Sequence, residues 1–105
     1  MEKIRNFTPH PVNIVDAEGE IAVFQPEGLA RVGAISMKKE PVAGIPTSKT
    51  ILGEPEGLPD FEAGTFLIVS QIVKSACPRR SDLLVPAEVI RDSKGQIVGC
   101  KSLGR

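Results

Sequence analysis

The single histidine, His10, lies between Pro9 and Pro11 near the start of the chain. Two flanking prolines restrict the backbone on both sides, which fixes the place of the imidazole. Near neutral pH an imidazole serves as a general acid, a general base or a ligand donor. Acid-base catalysis also needs a second group that orients or receives the proton, and no local motif supplies one. The other interpretation is structural, with His10 in a hydrogen-bonded kink where the chain enters its first strand.

Two adjacent arginines, Arg79 and Arg80, follow Pro78 and precede Ser81 and Asp82. Guanidinium groups bind phosphate or carboxylate through paired hydrogen bonds, so this segment is a candidate for binding an anion. The opposing interpretation is a solvated loop in which Asp82 holds one arginine, because exposed ion pairs contribute little. The sequence leaves both interpretations open.

Ser70 stands where the hydrophobic stretch Thr65 to Val69 gives way to a helical pattern. A serine nucleophile of the Gly-x-Ser-x-Gly type needs small neighbours, and Ile68 and Ile72 occupy the two glycine positions. A helix N-cap fits better, because the serine oxygen accepts a hydrogen bond from an N–H of the first turn. A junction of strand and helix can also cradle an anion.

The elements that must position these residues are short strands. Ten glycines and nine prolines are spread along the chain and leave no room for long helices. The pattern Asp-x-x-Gly, at residues 16–19 and 92–95, predicts two type I turns that each close a hairpin. We predict a mainly β (α+β) fold of about seven short strands in a mixed or antiparallel curled sheet, with one short helix near residues 71–77.

Three further segments of the sequence complete this prediction. The most hydrophobic stretch, Thr65 to Val69, contains the uninterrupted apolar run Phe66 to Val69 and is typical of a central strand buried on both faces. Leu29 to Met37 predicts a strand that ends in a loop through Lys38 to Pro41. Ile45 to Leu52 predicts another strand, and Pro46 favours an edge position for it.

Composition and charge exclude several classes of function. The chain of 105 residues has the size of a single domain, residues 1–105. Thirteen basic and thirteen acidic residues cancel, so we expect neither a nucleic acid nor a membrane as partner. Cys77 and Cys100 are two cysteines in a chain without a secretion signal, so we expect free thiols, and because they lack metal-ligand spacing we expect no metal and no cofactor. The absence of a signal-peptide pattern predicts a cytoplasmic protein.

Polar landmarks lie along the chain at residues 6–10, 57–59, 64–65, 68–70, 80–82, 89–92 and 95–100. They resemble those of a group of small uncharacterised bacterial and phage proteins that open with an Asn-(Leu/Phe)-Thr-Pro-His motif. The resemblance covers nearly the whole chain and implies a phage or prophage setting. It also implies that Thr8, His10, Ser70, Arg80 and Asp82 share one surface.

These features lead to one leading hypothesis and two alternatives. The leading hypothesis is a non-enzymatic binding protein that takes an anionic, nucleotide-like small ligand at the candidate residues. The first alternative is a protein-interaction module that inhibits a host enzyme through a sheet edge. The second is a hydrolase that uses His10 with Asp82 or Asp92. A small core and zero net charge further predict a homo-oligomer, with Ile45 to Leu52 or the C-terminal hairpin at the contact. The candidate ligand-binding residues are Thr8, His10, Ser70, Arg79, Arg80 and Asp82.

Overall fold

The computed structural model describes residues 2–105 and has a mainly β fold with one short helix, as the sequence predicts. Within this range there are eight strands and one helix. No helix in the described range is long and apolar enough to cross a membrane. In chain order the elements are β1 (Lys3–Asn6), β2 (Val12–Asp16), β3 (Gly19–Phe24), β4 (Arg31–Val42), β5 (Ile45–Glu56), β6 (Thr65–Ile68), α1 (Gln71–Ala76), β7 (Leu83–Arg91) and β8 (Ile97–Gly104).

Six of the strands form one curled mixed sheet in the order β1-β6-β7-β8-β2-β3. Strand β6, predicted as a central strand, is second in this order and pairs in parallel with both of its neighbours, β1 and β7, so it is an interior strand. A parallel bridge between Asn6 and Pro26 brings the chain after β3 beside β1, so the sheet nearly closes on itself. The sequence did not predict β1, because its four residues contain only one apolar side chain, Ile4.

Both predicted Asp-x-x-Gly turns are present and close the hairpins β2–β3 and β7–β8. The Asp16 Oδ1 atom accepts a 2.8 Å hydrogen bond from the N–H of Glu18. The Asp92 Oδ1 atom accepts from the N–H groups of Lys94 and Gln96 at 2.8 and 3.0 Å. Each turn therefore depends on its aspartate for the hydrogen bonds that hold it.

Strands β4 and β5 form a separate two-stranded sheet, which we call the arm. The prediction of a loop through Lys38 to Pro41 was wrong, because β4 continues to Val42 against β5. Irregularities between Val32 and Ala34 and between Lys39 and Val42 accommodate the residues that do not pair. Ala43 and Gly44, with φ of 52° and 80°, make the tight turn at the tip.

The arm makes the molecule elongated. Each of its strands has 12 residues and so spans about 40 Å. The radius of gyration is 16.6 Å, whereas a compact chain of this length has about 13 Å.

Two groups of apolar side chains stabilise the curled sheet, one on each of its faces, and we call them the outer group and the inner group. Side chains alternate along β6, so Leu67 joins the outer group and Ile68 the inner one. In the outer group the buried Val73 of α1 packs against the sheet, whereas the neighbouring Ile72 is 42% exposed. The outer group consists of Phe7, Ala30, Leu67, Val69, Val73, Leu83 and Val85, and the inner group is built on Val12, Ile68 and Cys100.

Candidate functional site

The buried side chain of Asn6 organises the segment that carries His10. Its Nδ2 atom donates to the carbonyl oxygens of His10 and Phe24, both at 2.8 Å. Its Oδ1 atom accepts from the Thr8 N–H at 2.9 Å and lies 2.7 Å from the Thr8 hydroxyl, which donates to it. All the polar atoms of this fully buried amide are therefore engaged, as a buried polar group requires. The sequence motif Asn-x-Thr-Pro-His is a hydrogen-bonded turn.

The turn holds the backbone of His10 and leaves its imidazole exposed. The Thr8 hydroxyl lies 3.0 Å from the His10 carbonyl oxygen, but its single hydrogen goes to Asn6 Oδ1. The backbone of His10 is therefore held by the Nδ2 donor of Asn6. The structural interpretation thus accounts for the kink, while the imidazole itself is left accessible to a ligand.

Ser70 caps helix α1, as the sequence predicts. Its backbone is extended, with φ of −71° and ψ of 160°, and its Oγ atom accepts from the Val73 N–H at 3.4 Å. That bond uses a lone pair and not the hydroxyl hydrogen, so the exposed Ser70 hydroxyl can still donate to a ligand.

Thr8, His10 and Ser70 meet in one groove of about 870 Å³. They come from the Asn6-centred turn and from the end of β6, two regions that the curled sheet brings side by side. Its volume lies in the range of pockets that hold a small organic molecule. The rest of the lining is Pro11, Val12, Asn13 and Val69, with Pro86, Val89 and the segment from Gln96 to Cys100.

The groove has apolar walls and a few polar groups. Aliphatic side chains such as Val89, Ile97 and Val98 are substantially exposed there. Among its lining residues the polar or charged side chains are Thr8, His10, Asn13, Ser70, Gln96 and Cys100, and none is a carboxylate. A groove with donors and without carboxylates favours a neutral or anionic ligand over a cation.

The thiol of Cys100 lies at the floor of the groove. It is 2% exposed, and its sulfur donates weakly to the Asn13 carbonyl oxygen at 3.7 Å. Burial raises the pKa of the Cys100 thiol above its usual value, so the group stays protonated at neutral pH. Cys100 therefore contributes to packing and has little nucleophilic character.

Arg80 and Asp82 are paired with each other. Arg80 Nε and Nη2 donate to the two carboxylate oxygens of Asp82 at 2.8 and 2.7 Å, and Nη2 also donates to the Pro59 carbonyl oxygen at 3.0 Å. These hydrogen bonds lower the pKa of the buried Asp82 carboxyl and raise the pKa of Arg80. The pair ties the segment after α1 to the loop at Pro59.

The remaining polar candidates lie apart from the groove. Arg79 is exposed beyond the end of α1 and, like Arg80 and Asp82, is not among the groove-lining residues. Of the two carboxylates considered as partners of His10, Asp82 holds Arg80 and Asp92 holds the β7–β8 turn. The structure therefore brings together three of the six candidates, Thr8, His10 and Ser70.

A second hollow, of about 490 Å³, opens at another part of the curled sheet. Its walls include Phe24 and Phe66, and the Arg105 guanidinium carbon lies 5.4 Å from the centre of the Phe66 ring. None of the sequence candidates lines it. Across residues 2–105, no three or more His, Cys, Asp or Glu side chains are grouped in a way that could hold a metal ion.

Two parts of the site were not predicted from the sequence, Asn6 and the wall formed by Ile97 and Val98. The signal for Asn6 was available, since an asparagine two residues before a threonine can accept hydrogen bonds from that residue. The signal for the wall was that two adjacent residues directly after the polar β7–β8 turn are both apolar. Side chains alternate between the two faces of a strand, so one of the two apolar side chains has to lie on the outward face.

Comparison of the chain with protein-family models, with curated proteins and with solved structures finds no match.

Proposed function

We propose that this protein is a non-enzymatic binding protein whose groove takes an anionic, nucleotide-like small ligand. The observation that carries the proposal is the convergence of Thr8, His10 and Ser70 on one apolar groove without a carboxylate in its lining. In this arrangement His10 and the Ser70 hydroxyl contact the anionic group. The aliphatic side chains of β7 and β8 cover the apolar part of the ligand.

In this proposal the anion is bound by His10 and Ser70 and not by Arg79 and Arg80. Arg80 has its hydrogen bonds directed to Asp82 and Pro59, so a ligand would have to compete with a buried carboxylate for that guanidinium. The imidazole of His10, in contrast, is exposed beside the groove. The proposal includes a cytoplasmic, phage or prophage setting, which the sequence resemblance and the unpaired thiols Cys77 and Cys100 support.

Native mass spectrometry of protein purified from cells, before and after denaturation, tests the proposal. We expect a small anion that leaves on denaturation, or binding of at least one member of a panel of linear and cyclic nucleotides. His10→Ala should abolish that binding with an unchanged melting temperature, and Arg79→Ala, the matched control, should retain it. An empty protein that binds no member of the panel would refute the proposal. Loss of binding in the Arg79 variant alone would place the anion outside the groove and refute it equally.

The alternative, a module that inhibits a host enzyme, is favoured by the arm. Apolar side chains at its tip, Val42 and Ile45, are 65% and 64% exposed, as in surfaces that proteins use for recognition. A pull-down from a bacterial lysate that yields one stoichiometric protein would favour this alternative over a ligand-binding function.

A further inference from the structure

The arm has one face that is both apolar and basic. Residues two apart along β4 lie on the same face, which groups Ile35, Met37 and Lys39. Cross-strand partners share a face as well, and Ile51 and Lys49 lie opposite Ile35 and Met37. Ile35, Met37 and Ile51 are 67%, 47% and 43% exposed, so the rest of the chain leaves this face open.

The strand edges of the arm are poorly suited to pairing with another strand. Pro41, Pro46 and Pro55 interrupt the two strands, and proline has no N–H to donate to a ladder. An isolated two-stranded hairpin is also only marginally stable in water, so the open arm is stabilised by anything that packs against it. A partner is therefore expected on the face and not on the edge.

The hairpin β2–β3 carries a surface of matching character. Ile21 and Val23 lie on one face of β3 and are 60% and 39% exposed. Residues 12–24 contain the carboxylates of Asp16, Glu18 and Glu20 and no basic residue. The arm between residues 34 and 52 contains three lysines and one glutamate. The two surfaces therefore combine apolar area with opposite charge.

We infer that the apolar and basic face of the arm docks on the β2–β3 hairpin of a second copy of this chain. The contact is between different surfaces, and a two-fold dimer in which each arm engages the other copy is the smallest closed assembly. The apolar side chains Ile35 and Ile21 then leave water together, and Lys39 and Lys49 face Glu18 and Glu20. This inference is independent of the groove and of its ligand.

Sedimentation velocity in the micromolar range tests the inference by charge reversal. The wild type should sediment at no less than twice the chain mass of 11.2 kDa. Lys39→Glu with Lys49→Glu should give monomers, as should Glu18→Lys with Glu20→Lys. The four substitutions together should restore the assembly, because they re-create the opposite charges with the signs exchanged. Circular dichroism checks that each variant is folded.

A wild type that stays monomeric overturns the inference, whether or not its arm binds a different protein. It is also overturned by variants that still assemble, or by a combined variant that does not recover. A second measurement does not depend on variants. Zero-length carbodiimide cross-linking of a mixture of ¹⁵N-labelled and unlabelled protein should join Lys49 of one label to Glu20 of the other. Cross-links confined to one label would contradict the intermolecular contact.

Discussion

At the scale of single residues, the buried amide of Asn6 decides where the imidazole stands. The amide joins three separate backbone positions, at Thr8, His10 and Phe24, through short hydrogen bonds. The side chain is 0% exposed, so an unpaired atom here has no access to water as a substitute partner. The position of His10 at the groove is therefore a property of Asn6 and of the turn around it.

Asn6→Asp replaces the amide nitrogen of this side chain with an oxygen and should lower the free energy of unfolding by about 3 kcal/mol. The aspartate has no N–H for the carbonyl oxygens of His10 and Phe24, which lose their donor while they remain partly buried. Urea denaturation measures the effect. Asn13→Asp is the matched control, since Asn13 donates a single exposed hydrogen bond to Val98 and should cost less than about 1 kcal/mol. Equal losses in the two variants would contradict the role given to Asn6.

The Arg80–Asp82 pair makes stability depend on pH in a defined window. In the folded protein Arg80 lowers the pKa of Asp82 below its ordinary value of 3.8. The ionised Asp82 therefore contributes to the free energy of unfolding at pH values above 3.8. The contribution is lost as the pH falls through the lower, folded-state pKa. Asp82→Asn should therefore cost about 2 kcal/mol at neutral pH, and its deficit against the wild type should shrink below about pH 4.

Chemical denaturation of both proteins between neutral pH and about pH 2 provides the measurement. The exposed Glu62→Gln is the control, and its free energy of unfolding should stay close to that of the wild type throughout. A deficit of the Asp82 variant that grows as the pH falls would show that the carboxylate does not stabilise the fold through its charge.

At the scale of elements, the sequence predicts those whose signals are local. The turns at Asp16 and Asp92 depend on hydrogen bonds within a few residues, and the cap at Ser70 depends on the first helical turn. The interior strand β6 is equally visible, since burial on both faces demands an unbroken apolar run. Such elements can be identified because the residues that form each element also carry the sequence signal for it.

Elements that depend on distant partners are less visible in the sequence. Strand β1 is stabilised by parallel pairing with β6, some sixty residues further along the chain. The second half of β4, with Lys38 and Lys39, has a loop-like composition and is extended because β5 pairs with it. In the candidate site, the side-chain chemistry of His10 and Ser70 marked both residues as candidates for binding. Their meeting in one groove depends on the closure of the sheet.

At the scale of the whole molecule, the fold separates two surfaces. The curled sheet builds the groove from the turn at Asn6 and from β7 and β8, while the arm extends away to give a longest dimension of 52 Å. Arg79 and the Arg80–Asp82 pair lie outside the groove lining. Ligand binding and self-association can therefore be altered one at a time, by substitutions in β8 and in the arm.

The most direct test of an anion-binding groove places a carboxylate in its wall. Val98 lines the groove and is 48% exposed, so Val98→Glu should be folded and should repel an anion, whereas Val98→Gln has the same shape without the charge. Calorimetric titration with the tightest-binding nucleotide of the panel should give an affinity about tenfold weaker for Val98→Glu than for Val98→Gln. Arg105→Glu, at the second hollow, should bind like the wild type. Equal affinities for the two Val98 variants, or a loss confined to Arg105→Glu, would contradict the assignment of the ligand to the groove.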